Sequence, residues 1–320
     1  MPGIAFSDVL THVGLMNTMP GDDVLEHQVL NHWRDNDERY IRRGEKAAVD
    51  EHDWHRSLMR VNNKRRGRPF VLPPEMVEPV RRMMIEQHLS YRAAEGHLRR
   101  MLSALGMKAP DHTTIWKRLA AEQAPPNVSP RRAIVAVDAT GFTITLRGEW
   151  LRDRWHKHRG FVKAHVTVDV GTLEVLAVVI TDDTVGDNVM FSALIEQVLA
   201  RGIIVERLLA DGAYDTYDNF DLLHERGIDA GIKMAEDAVT RSKGHTRARP
   251  YAVRERNALG QEAWEEWYDC SLRWMIEYVF SAVKRTLGDD VRSRRRDLMF
   301  SEVENKFWTW NEMRRTDLCN

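Results

Sequence analysis

Two aspartates stand where carboxylates are costly. Ala133 to Val137 is an unbroken apolar run that ends on Asp138, and Arg207 to Ala210 is a shorter strand-like run that ends on Asp211. A carboxylate there must reach solvent, a hydrogen-bond donor or a cation. Turn formers follow both, Ala139-Thr140-Gly141 and Gly212-Ala213, which predicts two strand ends, the place where open α/β sheets build their sites. A third carboxylate, Glu277, lies in the helical stretch Ser271 to Leu287, beside an apolar stripe of Ile276, Phe280, Val283 and Leu287. At about 100° per residue, Arg273, Glu277 and Lys284 fall within roughly 60° of one another. Taken alone this is an i,i+4 Arg–Glu pair worth about 0.2–0.5 kcal/mol plus a solvated lysine. Taken with the aspartates it offers hard oxygen donors for Mg²⁺ or Mn²⁺ and cations for phosphate. Phosphodiester cleavage needs this set. One ion activates the attacking water or 3′-hydroxyl, and a second, roughly 3.5–4 Å away, stabilises the leaving oxygen. Arg273 and Lys284 then position phosphates.

The elements that carry these groups change character along the chain. Val162 to Val170 alternates His165, Thr167 and Asp169 with valines, and Val175 to Ile180 is another apolar run. With Ala133 to Val137 they predict three strands opening the second half. Helical stretches Asn188 to Arg201 and Thr216 to Arg226 then alternate with strands Arg207 to Ala210 and Asp229 to Met234, before the Glu277 helix. The order predicts an α/β fold, a mixed sheet with an antiparallel opening and a later βαβ part flanked by helices. Glu236 to Ala263 reads as one long basic loop inserted in this domain, with Arg241, Lys243, His245, Arg247, Arg249, Arg254 and Arg256.

The first part is helical and differently charged. The chain has 320 residues with 47 Lys+Arg against 48 Asp+Glu, a net charge of −1. That average does not mark a polyanion binder. By segment, residues 1–60 carry 7 basic and 11 acidic side chains, and residues 61–126 carry 12 basic and 6 acidic. A local +6 ends at a Pro-bearing linker, Gln123 to Pro130. We therefore expect an N-terminal helical segment (1–60), a basic helical DNA-binding region (61–126) and a larger domain (127–320) carrying the basic insertion 236–263. In the first segment, Val24 to Trp33 has helical spacing and Tyr40 to Met59 is broken near Gly44. In the second, helices from Glu75 to Gln87, Leu89 to Leu105 and after Pro110, with Arg92, Arg99, Arg100, Lys117 and Arg118 outward, fit a small all-α, helix-turn-helix-like region. A plain bundle with a solvated basic face fits equally. Upstream, Lys64-Arg65-Arg66-Gly67-Arg68-Pro69 reads as an extended arm for a minor groove or as a solvated linker.

At the acidic residues the sequence resembles the DDE transposases of insertion-sequence family five, in the RNase H-like group. The matching strings are Val137-Asp138-Ala139-Thr140-Gly141, Ala210-Asp211-Gly212-Ala213-Tyr214-Asp215 and Arg273-Trp274-Met275-Ile276-Glu277 with Lys284 seven residues later. Cys270 stands where the family pattern on that helix has tyrosine, and Tyr268 lies two residues earlier. Leu89 to Gly96, Arg294 to Arg296, Glu302, Lys306 and Asn311 extend the likeness. The resemblance implies an RNase H-like fold with Asp138, Asp211 and Glu277 as catalytic metal ligands for two Mg²⁺ or Mn²⁺ ions. It also implies cleavage and strand transfer at the terminal inverted repeats of an insertion sequence, with Arg273 and Lys284 on DNA. Arg65, Arg66, Arg68, Arg92, Lys117 and Arg118 are the expected contacts of the helical region. Synapsis of two double-stranded ends implies a homo-oligomer, at least a dimer.

Other readings remain in play. A nuclease or resolvase of the same fold cuts without strand transfer, and a transposase relic binds DNA without chemistry. His156, Lys157, His158 and His165 are metal-ligating in type, but Arg152, Arg154, Arg159 and Lys163 around them favour phosphate. Asp183 and Asp187 are rival acids, Asp215 a candidate helix cap, and Trp264 and Trp267 candidates to stack an extruded base. Two cysteines, Cys270 and Cys319, exclude a disulfide framework and a four-cysteine zinc site. No stretch reaches the roughly 20 apolar residues of a membrane span, so the expectation is a cytoplasmic protein that does not enter a membrane.

Overall fold

The computed structural model describes residue 41 and residues 49–121, 129–144, 161–235, 237–241, 244 and 246–318. The expected helix Val24 to Trp33, the break near Gly44, most of the Pro-bearing linker and His156 to His158 lie outside these residues.

Local capping chemistry sets the helices of the first part. Helix α1 (Glu51–Asn62) begins where the Asp50 side chain accepts the Asp53 N–H at 2.8 Å. A 3₁₀ turn, Pro74–Met76, leads into α2 (Val77–Glu86). Helix α3 (Tyr91–Ser103) starts at Ser90, whose hydroxyl accepts the Ala93 N–H, and α4 (His112–Ala121) starts at Asp111, which accepts the Thr114 N–H at 2.7 Å. Their apolar faces close one core around Trp54, Leu72, Val80, Met83, Leu98 and Ile115. Trp54 belongs to α1, which runs across residue 60, so the helical unit draws on both sides of the border expected there. Glu95 of α3 accepts the His112 N–H at 2.9 Å and lies 2.7 Å from the ring Nδ1, tying α3 to the start of α4.

The second part is the expected mixed α/β sheet. Its strands are β1 (Arg132–Ile144), β2 (Phe161–Asp169), β3 (Val175–Asp182), β4 (Ile204–Ala210), β5 (Asp229–Ile232) and β6 (Asp290–Val291). The order is β3-β2-β1-β4-β5, with β6 also paired to β1. β1, β2 and β3 are antiparallel neighbours, and β4 and β5 join in parallel. One face packs on α5 (Phe191–Ala200) and α6 (Tyr217–Glu225) through Leu194, Val198, Phe220 and Leu223. The other packs on α9 (Trp274–Leu287) and α10 (Arg296–Leu318) through Ile276, Val279, Val283, Val303 and Phe307. With both faces covered, β2 buries His165, Thr167 and Asp169 as fully as its valines.

The stretch from 236 to 263 is not one loop. It forms α7 (Ala248–Leu259) and runs into α8 (Gln261–Trp267). Two of its cations are internal. Arg249 makes a two-pronged pair with Asp215 at 2.6 and 2.8 Å, and buried Arg256 donates to the Ala235 carbonyl at 2.5 Å. Basic residues in sequence are therefore only partly a basic surface.

Candidate active site

Strand lengths create the opening in which Asp138 sits. β1 pairs with β4 only as far as Ala136 and with β6 only from Thr143. Between these points β1 keeps β2 on one side, Asp138 opposite Val166, and among the described residues has no strand on the other. Asp138 is thus within a strand rather than at its end, a correction to the turn expected at Ala139-Thr140-Gly141. It is the neighbour β4 that ends, and Asp211 follows it directly. Side-chain alternation puts Asp138 on the same face as Ala136 and Phe142, the face covered by α9.

Asp211 caps the 3₁₀ turn Gly212–Tyr214, its carboxylate accepting the Ala213 N–H at 2.9 Å. Arg273 closes another 3₁₀ turn, Cys270–Arg273, just before α9. Its guanidinium joins two of the three acids, with Nη1 3.4 Å from Asp138 Oδ2 and Nη2 2.9 Å from Glu277 Oε1. The third acid is felt electrostatically. Burial pushes the Asp138 carboxyl up to about 6, and the nearby Asp211 and Glu277 carboxylates push the same way, against the Ala139 N–H and Arg273. The three acids therefore occupy one neighbourhood, although among the described residues no three His, Cys, Asp or Glu side chains close into a ready metal cage.

The raised carboxyl gives a sign that can be tested. Its folded pKa lies above the ordinary 3.8, so the native state holds the proton more tightly, and stability is fully present below about 4 and falls as pH rises through about 6. Asp138→Asn removes this penalty. In chelator, urea unfolding at pH 7 is expected to find the Asn variant more stable by about 2 kcal/mol, the conversion being discounted for partial solvent access. The two proteins should converge near pH 4.

Lys284 does not join the acids. Seven residues along a helix are about 10 Å, and its Nζ lies 5.4 Å from the centroid of Phe142, four residues beyond Asp138 on β1. Burial lowers its pKa while Asp289 opposes the shift. At the family's tyrosine position Cys270 packs against β5, its Sγ 4.0 Å from the Gly231 carbonyl, with the thiol pushed up to about 11, first by burial. Tyr268 donates its hydroxyl to Glu255 at 2.9 Å. A phenol close to the two aspartates is Tyr214, fully buried in the turn after Asp211. Its pKa is raised by burial and then by Asp138, Asp187 and Asp211. The sequence signal was there, in the tyrosine between Asp211 and Asp215.

Asp215 does not cap α6, whose N-cap is Thr216; it holds Arg249. Asp187 is engaged by Lys163 at 2.5 Å and lies 3.7 Å from the Nδ1 of buried His165. Trp264 is fully buried, unable to stack a base, while Trp267 is exposed.

The helical cations divide as well. The string from Lys64 to Pro69 is not an extended arm. Asn62 clasps Phe70 through its N–H and carbonyl at 2.7 and 2.9 Å, and Lys64 and Gly67 take positive φ. Arg65 and Arg118 lie over the Phe70 ring, 3.9 and 5.1 Å from its centroid. Arg118 is half-buried, whereas Arg66, Arg68, Arg92 and Lys117 are exposed. Truncating Arg118 to Ala is expected to cost about 1 kcal/mol through lost cation–π and stem packing, readable as a lower urea midpoint.

Residues 129–311, more than half of the chain, match the model of the transposase DDE domain family. The chain belongs to this family. Among solved structures this DDE transposase is similar to a chain of the simian T-cell lymphotropic virus intasome in complex with PP2A regulatory subunit B56 gamma. There the identity is 12%, the TM-score 0.26, and the match covers 69% of this chain and 72% of that one. It is also similar to a chain of a pre-cleavage Mos1 transpososome, at 10% identity and TM-score 0.23, covering 80% of this chain and 82% of that one. These overlaps are loose, and the assignment of the transposase rests on the family match.

Proposed function

We propose that Asp138, Asp211 and Glu277 are the catalytic acids of an insertion-sequence transposase of family five, which cuts the terminal inverted repeats of its element and joins them to target DNA. The observation that carries this reading is the Arg273 guanidinium joining Asp138 to Glu277, with Asp211 close enough to raise the Asp138 carboxyl. The donors are all oxygen, and their mutual repulsion is what a divalent cation relieves, so the set fits two Mg²⁺ or Mn²⁺ ions. When bound, the ions activate the attacking oxygen and stabilise the leaving one. The chain's own contribution is positional. β1 and the turn after β4 hold the aspartates across the opening in the sheet, and α9 presents Glu277 from above. Arg273 is placed to take a phosphate, and Lys284 lies farther along the same helix.

The exposed cations Arg66, Arg68, Arg92 and Lys117 give the helix-turn-helix-like unit its duplex contacts, while Arg65 and Arg118 brace Phe70. The assembly that cuts is at least a dimer acting in the cytoplasm on the nucleoid. The experiment is incubation with duplex carrying the element's end, a target plasmid and Mg²⁺. Strand transfer is expected. Cleavage without joining supports the nuclease reading, and binding without cleavage supports the relic. For the helical unit, Arg66→Ala and Arg68→Ala should each reduce the slope of log K against log salt by about 0.9. An unchanged slope removes that residue from the interface.

A further inference from the structure

The helical unit and the sheet domain meet at a seam with a cavity of about 470 Å³. Among the described residues, bonds that cross it include Arg81 Nη1 donating to Asn305 Oδ1 at 3.1 Å and Arg292 Nη1 donating to the His88 carbonyl at 3.0 Å. Leu287 and Leu298 are among the apolar residues that line it, and the charged part of the lining is mainly basic. Arg81, Arg292, Arg294 and Lys306 share the lining with one carboxylate, Glu302, while Glu78 pairs with Arg81 at 3.0 Å from outside it. Glu302 is already used, accepting the Arg292 and Ser293 N–H groups at 3.1 and 2.9 Å. Lys306 is almost fully buried and donates to the Gly288 and Asp290 carbonyls at 2.9 and 2.6 Å, neutral acceptors that leave its charge in place. Asp290 lies 3.4 Å from Arg292 and offsets part of the field. Burial holds the His88 imidazole below its ordinary pKa, with Arg292 and Lys306 adding to the shift and Asp290 and Glu302 opposing it. Arg294 is exposed at the rim.

We propose that this seam cavity is a phosphodiester site, which takes a backbone phosphate of duplex DNA on Arg292 and Arg294 where the duplex passes from the helical unit to the sheet domain. An anion suits a concave wall of excess positive charge, and the planar guanidinium fork suits phosphate. The cavity is larger than a phosphate alone, which leaves room for the adjoining sugar. DNA is the source favoured over free phosphate because the cavity is shared by the two units through which the proposed transposase holds DNA. The inference rests on that reading for its ligand, but not on any step of the chemistry.

The test uses the full chain and a random-sequence duplex of about 30 base pairs, with no metal and no cleavage step. Binding is followed by fluorescence anisotropy from 50 to 200 mM salt. Arg294→Gln and Arg292→Gln should each lower the salt slope by about 0.9, which over this range is a three- to fourfold smaller loss of affinity. Arg294→Lys should keep the wild-type slope. Arg226→Gln, whose guanidinium pairs with Glu196 at 2.6 Å, is the control and should leave the slope unchanged. Arg292 also bonds the helical unit, so the deciding variant is Arg294→Gln, in an exposed side chain whose loss leaves the fold intact. A wild-type slope in Arg294→Gln overturns the proposal, including the case in which inorganic phosphate still raises the unfolding temperature. Failure here leaves the acids untouched, and loss of cleavage in the acid variants leaves this slope untouched.

Discussion

Asp138→Asn, Asp211→Asn and Glu277→Gln should each lower Mg²⁺-dependent cleavage of end DNA by on the order of 10³-fold or more, with end binding kept. The size follows from what each carboxylate does. An amide keeps the shape of the side chain and one acceptor oxygen, but not the charge that offsets a divalent ion. The three losses should not add, because one missing ligand already disables the set. Arg273→Gln should differ in kind. It removes the guanidinium that joins Asp138 and Glu277, so the metal requirement persists while cleavage weakens. A variant among the three acids that cuts at the wild-type rate leaves the site.

Asp215→Ala should destabilise the fold by about 3–5 kcal/mol, as expected when one partner of a buried pair is removed and the other charge stays behind. Both side chains are over nine-tenths buried, and the pair is two-pronged. Replacing both, Asp215→Leu with Arg249→Met, should recover much of the loss, because the unpaired charge goes with the pair. Equilibrium urea unfolding reads both effects. The pair also links α7 to the turn that follows Asp211, so the single variant should lose cleavage even under conditions where it remains folded. Wild-type stability in Asp215→Ala would contradict the account of that turn.

Periodicity made the sheet legible, since β1 to β5 are apolar or alternating runs punctuated by turn formers. The chemistry-bearing residues were legible by type for the same reason: a carboxylate closing an apolar run is conspicuous. What the pattern could not supply was strand length relative to neighbours. Asp138 sits within β1 because β4 ends early, and no local signal in Ala139-Thr140-Gly141 distinguishes a continuing strand from a turn. Charge was misleading in another way. Arg249, Arg256 and Arg118 contribute to a basic tally, but each is drawn inward by a partner distant in sequence: Asp215, the Ala235 carbonyl and the Phe70 ring. Trp264, a candidate to stack a base, is core, since α8, which carries it, begins inside the stretch read as a loop.

Mn²⁺ binding tests, without knowledge of the end sequence, whether the three carboxylates hold divalent metal. Mn²⁺ is titrated into the protein with a generic duplex, and the free ion is followed by electron paramagnetic resonance. The wild type should take up two ions per chain, and Asp138→Asn, Asp211→Asn and Glu277→Gln should each lose that uptake. Equal uptake by the wild type and all three variants would contradict the account.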